Sequence, residues 1–248
     1  METLFIGKSF LKFNELPSTN SWLMERVSIQ SFAEGTVVFA KHQSKGKGQR
    51  GATWTAKLSQ SLTFSVLLNP KFLPIRNSYD ISICTALALH DCLNELRSGF
   101  EIKWPNDIYF KDKKVAGVLI ENQMSKSVYQ NAVVGIGLNV NQISFEALPN
   151  AISLKQILGV NFPVENVLER ICETLEARYL QLRAGKYDSL KQAYLVALYR
   201  YKQIHSFRVK NTKFKAIIID VLRNGRLLIV LENGENRDFD IKEIEFLD

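Results

Sequence analysis

Three short segments carry the side chains that could do chemistry. Gly46-Lys-Gly-Gln-Arg-Gly51 sets three glycines among cations, with Lys45 just before it and Trp54 just beyond. Glycines let backbone N–H groups approach an anion. Lys45, Lys47 and Arg50 would add charge-assisted hydrogen bonds worth roughly 1.5–3 kcal/mol each. The spacing satisfies G-x-G-x-x-G, but a dinucleotide site also needs a following helix and an acid about 20 residues on. Here Ala52–Gln60 has no helical apolar face, and no acid occurs until Asp80. No Walker loop occurs either. Trp54 beside such a loop could stack a nucleobase or belong to the core. Lys103-Trp-Pro-Asn-Asp107 crowds charged and amide side chains round a proline turn, where Asn106 and Asp107 could equally be plain turn residues. Lys113-Lys-Val-Ala-Gly117 then opens an apolar run, and Gly135-Ile-Gly-Leu-Asn139 puts two glycines in a strand pattern. Glycine inside a strand marks close approach by a backbone or a ligand. The chemistry these segments offer is charge stabilisation round an anion.

The charge distribution points the same way. The chain has 248 residues and a net charge of +7. From Gly35 to Tyr79 there is no Asp or Glu, and that stretch holds Lys41, Lys45, Lys47, Arg50, Lys57, Lys71 and Arg76. The basic residues elsewhere equal the 25 acidic ones in number. Such a field attracts phosphate, nucleotide, nucleic acid or carboxylate; charge alone also fits, and favours, a plain solvated basic surface. A single-strand nucleic-acid groove would interleave aromatics with the cations; the basic loop does not, which makes nucleic-acid binding the distant alternative.

Taken together, Gln43-x-x-Gly-Lys-Gly-Gln-Arg-Gly-x-x-Trp54, Lys103-Trp-Pro-Asn-Asp107, Lys114-Val-Ala-Gly-Val-Leu-Ile-Glu121 and Gly135-Ile-Gly-Leu-Asn139 resemble the signature set of the biotin protein ligases, the biotin–[acetyl-CoA-carboxylase] ligases. Ser18-Thr19-Asn20 matches that family's first biotin-contacting segment. The resemblance implies a mixed α/β (α+β) catalytic domain, class II synthetase-like, with a central mixed sheet flanked by helices, and a small C-terminal SH3-like β domain. It implies biotin and ATP with Mg2+ as ligands, biotinyl-5′-AMP as intermediate, and a lysine of a biotin carboxyl carrier protein domain as acceptor. Under it, Ser18, Thr19, Asn20, Gln43, Gly46, Lys47, Gly48, Gln49, Lys114 and Gly117 bind biotin. Lys47, Arg50, Trp54, Asn106, Asp107, Lys114 and Asn139 bind ATP or the adenylate, and Lys114 is the catalytic residue. No side-chain motif for a metal is expected, Mg2+ arriving with ATP. Two departures stand out. The family's loop usually carries arginines where this sequence has Lys47 and Gln49. The chain also starts too close to Ser18 for the N-terminal DNA-binding domain of some members, so no DNA partner is expected. The expected oligomer is a monomer or homodimer, in the cytoplasm. Lipoate–protein ligases and octanoyl transferases share the fold class and are the nearer alternative.

The elements that must position these residues are legible in the apolar periodicity. Strands are expected at Phe10–Leu16, Thr36–His42, Leu62–Leu68, Phe100–Trp104, Ile108–Phe110, Val115–Asn122 and Val128–Asn141. Helices are expected from Ser18, over Ile81–Leu96, over Val164–Leu182 and over Leu190–Tyr201. After Ile204 the pattern becomes short strands, Phe207–Val209, Lys213–Leu222, Arg226–Leu231 and Arg237–Asp240, with Asn224-Gly225 and Asn233-Gly234 as hairpin turns. The division expected is a catalytic domain at 1–204 and a β domain at 205–248, too small to bury its own core and therefore packed on the first. With 46% hydrophobic and 10% aromatic residues the chain should fold. No apolar run approaches the roughly 18 residues of a membrane span, and the N-terminus has no signal-peptide core. Cys84, Cys92 and Cys172 have no metal spacing and read as buried thiols; Cys84, Ala88 and Cys92 share one helix face.

Overall fold

The computed structural model describes residues 1–55, 57–125, 128–145 and 148–247. The chain runs β1 (Phe10–Leu16), α1 (Thr19–Arg26), β2 (Val37–Gln43), β3 (Ser61–Leu68), α2 (Tyr79–Leu96), β4 (Phe100–Lys103), β5 (Asp107–Phe110), β6 (Lys113–Ser125) and β7 (Val128–Asn139). It continues through α3 (Leu154–Leu158), α4 (Val164–Arg183), α5 (Tyr187–Val196), β8 (Ile204–Val209), β9 (Thr212–Val221), β10 (Leu227–Leu231), β11 (Asn236–Phe239) and β12 (Glu245–Phe246). Seven strands form one sheet in the order β1-β2-β3-β7-β6-β5-β4. β1 and β2 are parallel and the other neighbours antiparallel, giving the mixed sheet expected.

Period-two alternation divides the sheet's faces. Val37, Phe39, Leu62, Phe64, Val66, Val134 and Ile136 join a core with Cys84 and Leu89 of α2 and with Ile171 and Leu175 of α4. The intervening Val38, Ala40, Leu67 and Val133 face the other way, onto Leu16 and onto Leu23 of α1. Further along this second face the apolar side chains give way to Thr63 and Ser65 on β3 and to Gly135 and Gly137 on β7, opposite Leu119 and Gly117 on β6. The sheet therefore leaves space on that face where α1 ends its cover. The three cysteines are buried and free, as expected. Burial pushes the Cys92 and Cys172 thiols up to about 12 and the Cys84 thiol higher still, which makes them inert as nucleophiles.

The second sheet, β11-β10-β9-β8-β12, is antiparallel throughout. Its Phe207, Ala216, Ile218, Leu227 and Ile229, with Ile244 just before β12, belong to the same apolar cluster as α2 and α4, so its inner face is covered by the rest of the chain. Several elements differ from expectation: β8 already begins at Ile204 and β7 ends at Asn139. α5 stops at Val196, because the edge strand β4 captures the next residues: Ile102 N donates to Ala197 O at 2.8 Å and Tyr199 N to Ile102 O at 2.9 Å. α3 is a single helical turn or so, fixed by a capping box between Ser153 and Gln156. β12 has two residues and is held by β8. Among the described residues no helix is long and apolar enough to cross a membrane.

Candidate active site

The space on the α1 face is a cavity of about 220 Å³ roofed by the loop that follows β2. Its deepest part is polar and cross-braced. Ser18 caps α1 by accepting from Ser21 N at 3.4 Å, which turns Thr19 and Asn20 down onto β3. Thr19 N and Oγ1 donate to Gln43 Oε1 at 2.7 and 3.1 Å, so the Gln43 amide is oriented with Nε2 as its remaining donor. Ser65 Oγ lies 2.7 Å from Thr19 Oγ1 and 2.6 Å from Asn20 Oδ1. Asn20 Nδ2 donates to Leu119 O at 3.1 Å and to Glu121 Oε2 at 2.9 Å. The network fits because position 135 has no side chain: a Cβ there would lie 2.2 Å from Asn20 Oδ1.

The opposite wall carries the charge. Lys114 Nζ and Asp107 Oδ1 form an ion pair of 2.7 Å. Asp107 begins β5 directly after the turn Trp104-Pro105-Asn106, whose Trp104–Pro105 bond is cis. Asn106 is tied to β6 through its Nδ2 to Val118 O at 2.6 Å, while Val118 N donates back to Asn106 O at 2.9 Å. Gly117 makes room for the pair, since a Cβ there would lie 3.1 Å from Lys114 Nζ and 3.2 Å from Asp107 Oδ1. Burial pushes the Asp107 carboxyl above the ordinary aspartate range, with Lys114 and then Lys103 pulling it back. Lys103 itself points away from the cavity, its ammonium 4.3 Å from the Tyr109 ring centroid and 5.2 Å from that of Phe246.

Trp54 closes the roof. Its ring lies on β7 where position 137 is glycine; a Cβ there would be 2.4 Å from the indole. The ring centroid is 5.8 Å from Lys114 Nζ, within cation–π range. Its Nε1 is buried without a hydrogen-bond partner among the described residues, an orphan donor beside the cavity. The two strand glycines thus admit the side chains of Asn20 and Trp54, and both also line the cavity.

Of the residues expected at the site, the structure gathers Ser18, Thr19, Asn20, Gln43, Lys47, Gly48, Gln49, Trp54, Asn106, Asp107, Lys114 and Gly117 round this one cavity. Three lie off its wall. Gly46 is buried beneath the loop, where a Cβ would meet Trp54 O at 2.3 Å. Asn139, at the end of β7, donates to Ile152 O at 3.3 Å. Arg50 turns outward to the second sheet, its Nη2 3.0 Å from Asp240 Oδ1, so it is not placed here as an adenylate ligand. Of the seven cations in the acid-free segment, Lys47 alone lines the cavity. The segment's charge is spread over the surface, and the second cation of the site, Lys114, comes from outside it. Ser65 and Glu121 escaped the sequence reading as site residues. A serine amid an apolar strand was the available signal for the first, and the acid at the end of the Lys114–Glu121 run for the second.

Comparison with known proteins places this geometry among relatives. Residues 13–139 match the model of the biotin/lipoate A/B protein ligase family. The chain is 35% identical over 172 residues to a biotin–[acetyl-CoA-carboxylase] ligase of Mycobacterium tuberculosis, covering 67% of this chain and 62% of that protein. It is 29% identical over 196 residues to the bifunctional ligase/repressor BirA of Bacillus subtilis, covering 77% and 60%. It thus spans about six-tenths of the length of these curated relatives. Among solved structures it is similar to the biotin protein ligase of Aquifex aeolicus in complex with biotin and ATP, with a TM-score of 0.79 and 28% identity over 96% of this chain and 98% of that one.

Proposed function

The chain belongs to the biotin/lipoate A/B protein ligase family, and from that premise we propose that it is a biotin–[acetyl-CoA-carboxylase] ligase. It activates biotin with Mg·ATP as biotinyl-5′-AMP and passes the biotinyl group to a lysine of a biotin carboxyl carrier domain. The observation that carries this reading is the division of one cavity into a polar end, Thr19, Asn20 and Gln43 braced from behind by Ser65, and a charged end, Lys114 and Asp107. Biotin has the matching polarity. Its ureido ring offers two N–H donors and a carbonyl acceptor, and its valeryl chain ends in a carboxylate. The dithiolane of lipoate has no hydrogen-bonding groups and would offer no partner to Gln43 Nε2, the donor the network leaves over. That favours biotin over lipoate within the family.

In the first step the biotin carboxylate oxygen attacks the α-phosphorus of ATP, and the bond to the β-phosphate oxygen breaks, releasing pyrophosphate. In the second, the acceptor lysine's amine attacks the biotinyl carbonyl carbon; AMP leaves and the amine loses a proton. Neither step needs a protein nucleophile. Both need a cation fixed where negative charge grows and a roof that excludes water. Lys114 is held for the first task by Asp107, and the loop Gly46–Trp54 serves as the roof. Trp54 supplies an aromatic face and an unpaired donor for the adenine. Mg2+ enters on the nucleotide's phosphates. Among the described residues no group of three or more His, Cys, Asp and Glu side chains is placed to hold a metal ion. The test is incorporation: labelled biotin, Mg·ATP and a biotin carboxyl carrier domain should give label on the carrier's lysine. Labelled lipoate with a lipoyl domain, run alongside, should give none. The reverse pattern would move the chain to the lipoate branch.

A further inference from the structure

The second sheet meets the walls of the cavity at two points. At the first, Trp104 Nε1 donates to Gly225 O at 2.9 Å, while Tyr79 Oη donates to Pro105 O at 3.0 Å. The turn that leads into Asn106 and Asp107 is therefore held between α2 and the β9–β10 hairpin. At the second, the turn after β11 reaches the roofing loop. Arg50 Nη2 donates to Asp240 Oδ1 at 3.0 Å and Nη1 to Ile241 O at 2.6 Å, and Lys242 Nζ donates to Arg50 O at 3.0 Å.

The two ends of this second contact differ in rigidity. Asp240 is preset: its Oδ1 also accepts from Ile241 N at 2.6 Å, its N donates to Glu243 Oε2 at 2.6 Å, and Glu243 N donates to its O at 3.0 Å. Arg50 stands in a short 3-10 turn at φ 50° and ψ 46°, followed by Gly51 at φ 82°. A left-handed backbone at a residue other than glycine, Asn or Asp is disfavoured. Three hydrogen bonds with the turn after β11 converge on Arg50, which holds this backbone. Its neighbour Gln49 lines the cavity, as do Gly48 and Ala52.

The geometry points to Asp240 and Lys242 as positioning residues that clasp the loop over the cavity through Arg50. Arg50 then belongs to the roof's fastening and leaves Gln49 to face the ligand. The clasp joins residues 190 positions apart in sequence, and Arg50 and Asp240 are each nearly half exposed, at 45% and 47%. Opening it frees the loop without unmaking the core, which suits a roof that must admit substrates and release AMP. Its consequence for the adenylate rests on the ligase reading above; its consequence for the loop does not.

The experiment uses the full chain with Asp240→Asn, Lys242→Gln and Asp240→Glu. Lys45, Lys47 and Arg50 are exposed trypsin sites. In the ligand-free protein, Asp240→Asn and Lys242→Gln should raise the rate of cleavage at these sites roughly three- to tenfold, the range open to a half-exposed charge-assisted contact. Asp240→Glu should restore protection, and the Tm should stay at its wild-type value. In protein preloaded with biotinyl-adenylate, release of the adenylate should speed up by a similar factor in Asp240→Asn. If Arg50 were instead an adenylate ligand held back by Asp240, the same substitution would slow release, and that outcome overturns the clasp. Unchanged cleavage in both Asp240→Asn and Lys242→Gln overturns it as well. A protein that forms no adenylate at all defeats the ligase reading, while the cleavage rates still decide the clasp.

Discussion

At the scale of single residues, the proposed chemistry rests on Lys114, one of two lysines on the cavity wall, and on the carboxylate that holds it. Lys114 is fixed by Asp107 at 2.7 Å, aimed at the cavity before any ligand arrives. Lys114→Ala should therefore lower adenylate formation about 100- to 1,000-fold, the usual loss for one preorganised donor to a developing anion; the urea midpoint should fall as well, because Asp107 loses the cation that offsets its burial. Pyrophosphate release in a biotin- and ATP-dependent assay reads this directly. Asp107 adds a pH signature. Its carboxyl sits above the ordinary aspartate range through burial, so ionising it in the folded chain costs stability. Stability is full below the ordinary aspartate value and declines as pH rises through the raised one. Activity runs the other way, because protonation releases Lys114. The rate of adenylate formation should fall on acidification along a limb displaced above the ordinary aspartate value. Asp107→Asn should abolish that limb and flatten urea midpoints across the same window. Gln49 supplies the third residue-scale prediction. Arg50 is committed to Asp240 and does not replace the charge that Gln49 lacks. A neutral hydrogen bond is about half as strong as a charge-assisted one, so Gln49→Arg should slow adenylate dissociation, on the order of tenfold for ~1.4 kcal/mol. Equal dissociation rates for the two forms would take Gln49 away from the adenylate.

At the scale of elements, strands and helices were legible because periodicity reports which face is buried, whereas the site depends on what interrupts it. β1, β3 and α4 fall within a residue or so of where alternation and helical spacing place them. α5 was read too long because its last apolar residues also suit the sheet edge, and β4's unpaired groups decide between the two. α3 is too short for a periodicity argument. The glycines of β7 announced a close approach but not its partner. That partner, Trp54, arrives from a loop with no periodicity, and Ser65 was hidden in a strand that reads as continuous core. Direction was also beyond the sequence. Nothing in Gly46–Gly51 says that Lys47 borders the cavity while Arg50 turns away from it; the direction of Arg50 depends on a carboxylate 190 residues away. The fit at position 137 makes this scale testable. Gly137→Ala would place a Cβ 2.4 Å from the Trp54 indole, too close for a packed ring to absorb by small shifts. The ring should be displaced, and Trp54 fluorescence should change in the ligand-free protein. ATP should bind at least tenfold more weakly, since base–aromatic stacking is worth roughly 1–3 kcal/mol. Undiminished ATP affinity with a displaced indole would remove adenine stacking from its role.

At the scale of the whole molecule, the C-terminal sheet is part of the machine that sets the site. Its inner residues share one core with α2 and α4, its β9–β10 hairpin holds Trp104, and its last turn holds Arg50. A division of the chain at residues 204 and 205 would therefore mark a change of architecture rather than an independent folding unit, and heating should give one cooperative transition. Gly225 is where this coupling can be tested without truncation. It has φ 87°, and a Cβ would lie 2.5 Å from the Tyr79 ring, while its carbonyl accepts from Trp104 Nε1. Gly225→Ala is strained by its backbone and crowded by a buried aromatic. It should destabilise the chain by roughly 1–3 kcal/mol, the usual range for overpacking. If the hairpin does no more than cover apolar surface, that is the whole effect: folded Gly225→Ala turns over like the wild type. If it holds the turn before Asp107, the folded variant also loses kcat for adenylate formation at saturating biotin and ATP, because the Lys114–Asp107 pair is no longer set. Measuring kcat at a temperature where both proteins are fully folded separates these outcomes, and an unchanged kcat would confine the sheet's influence to the loop clasped by Arg50.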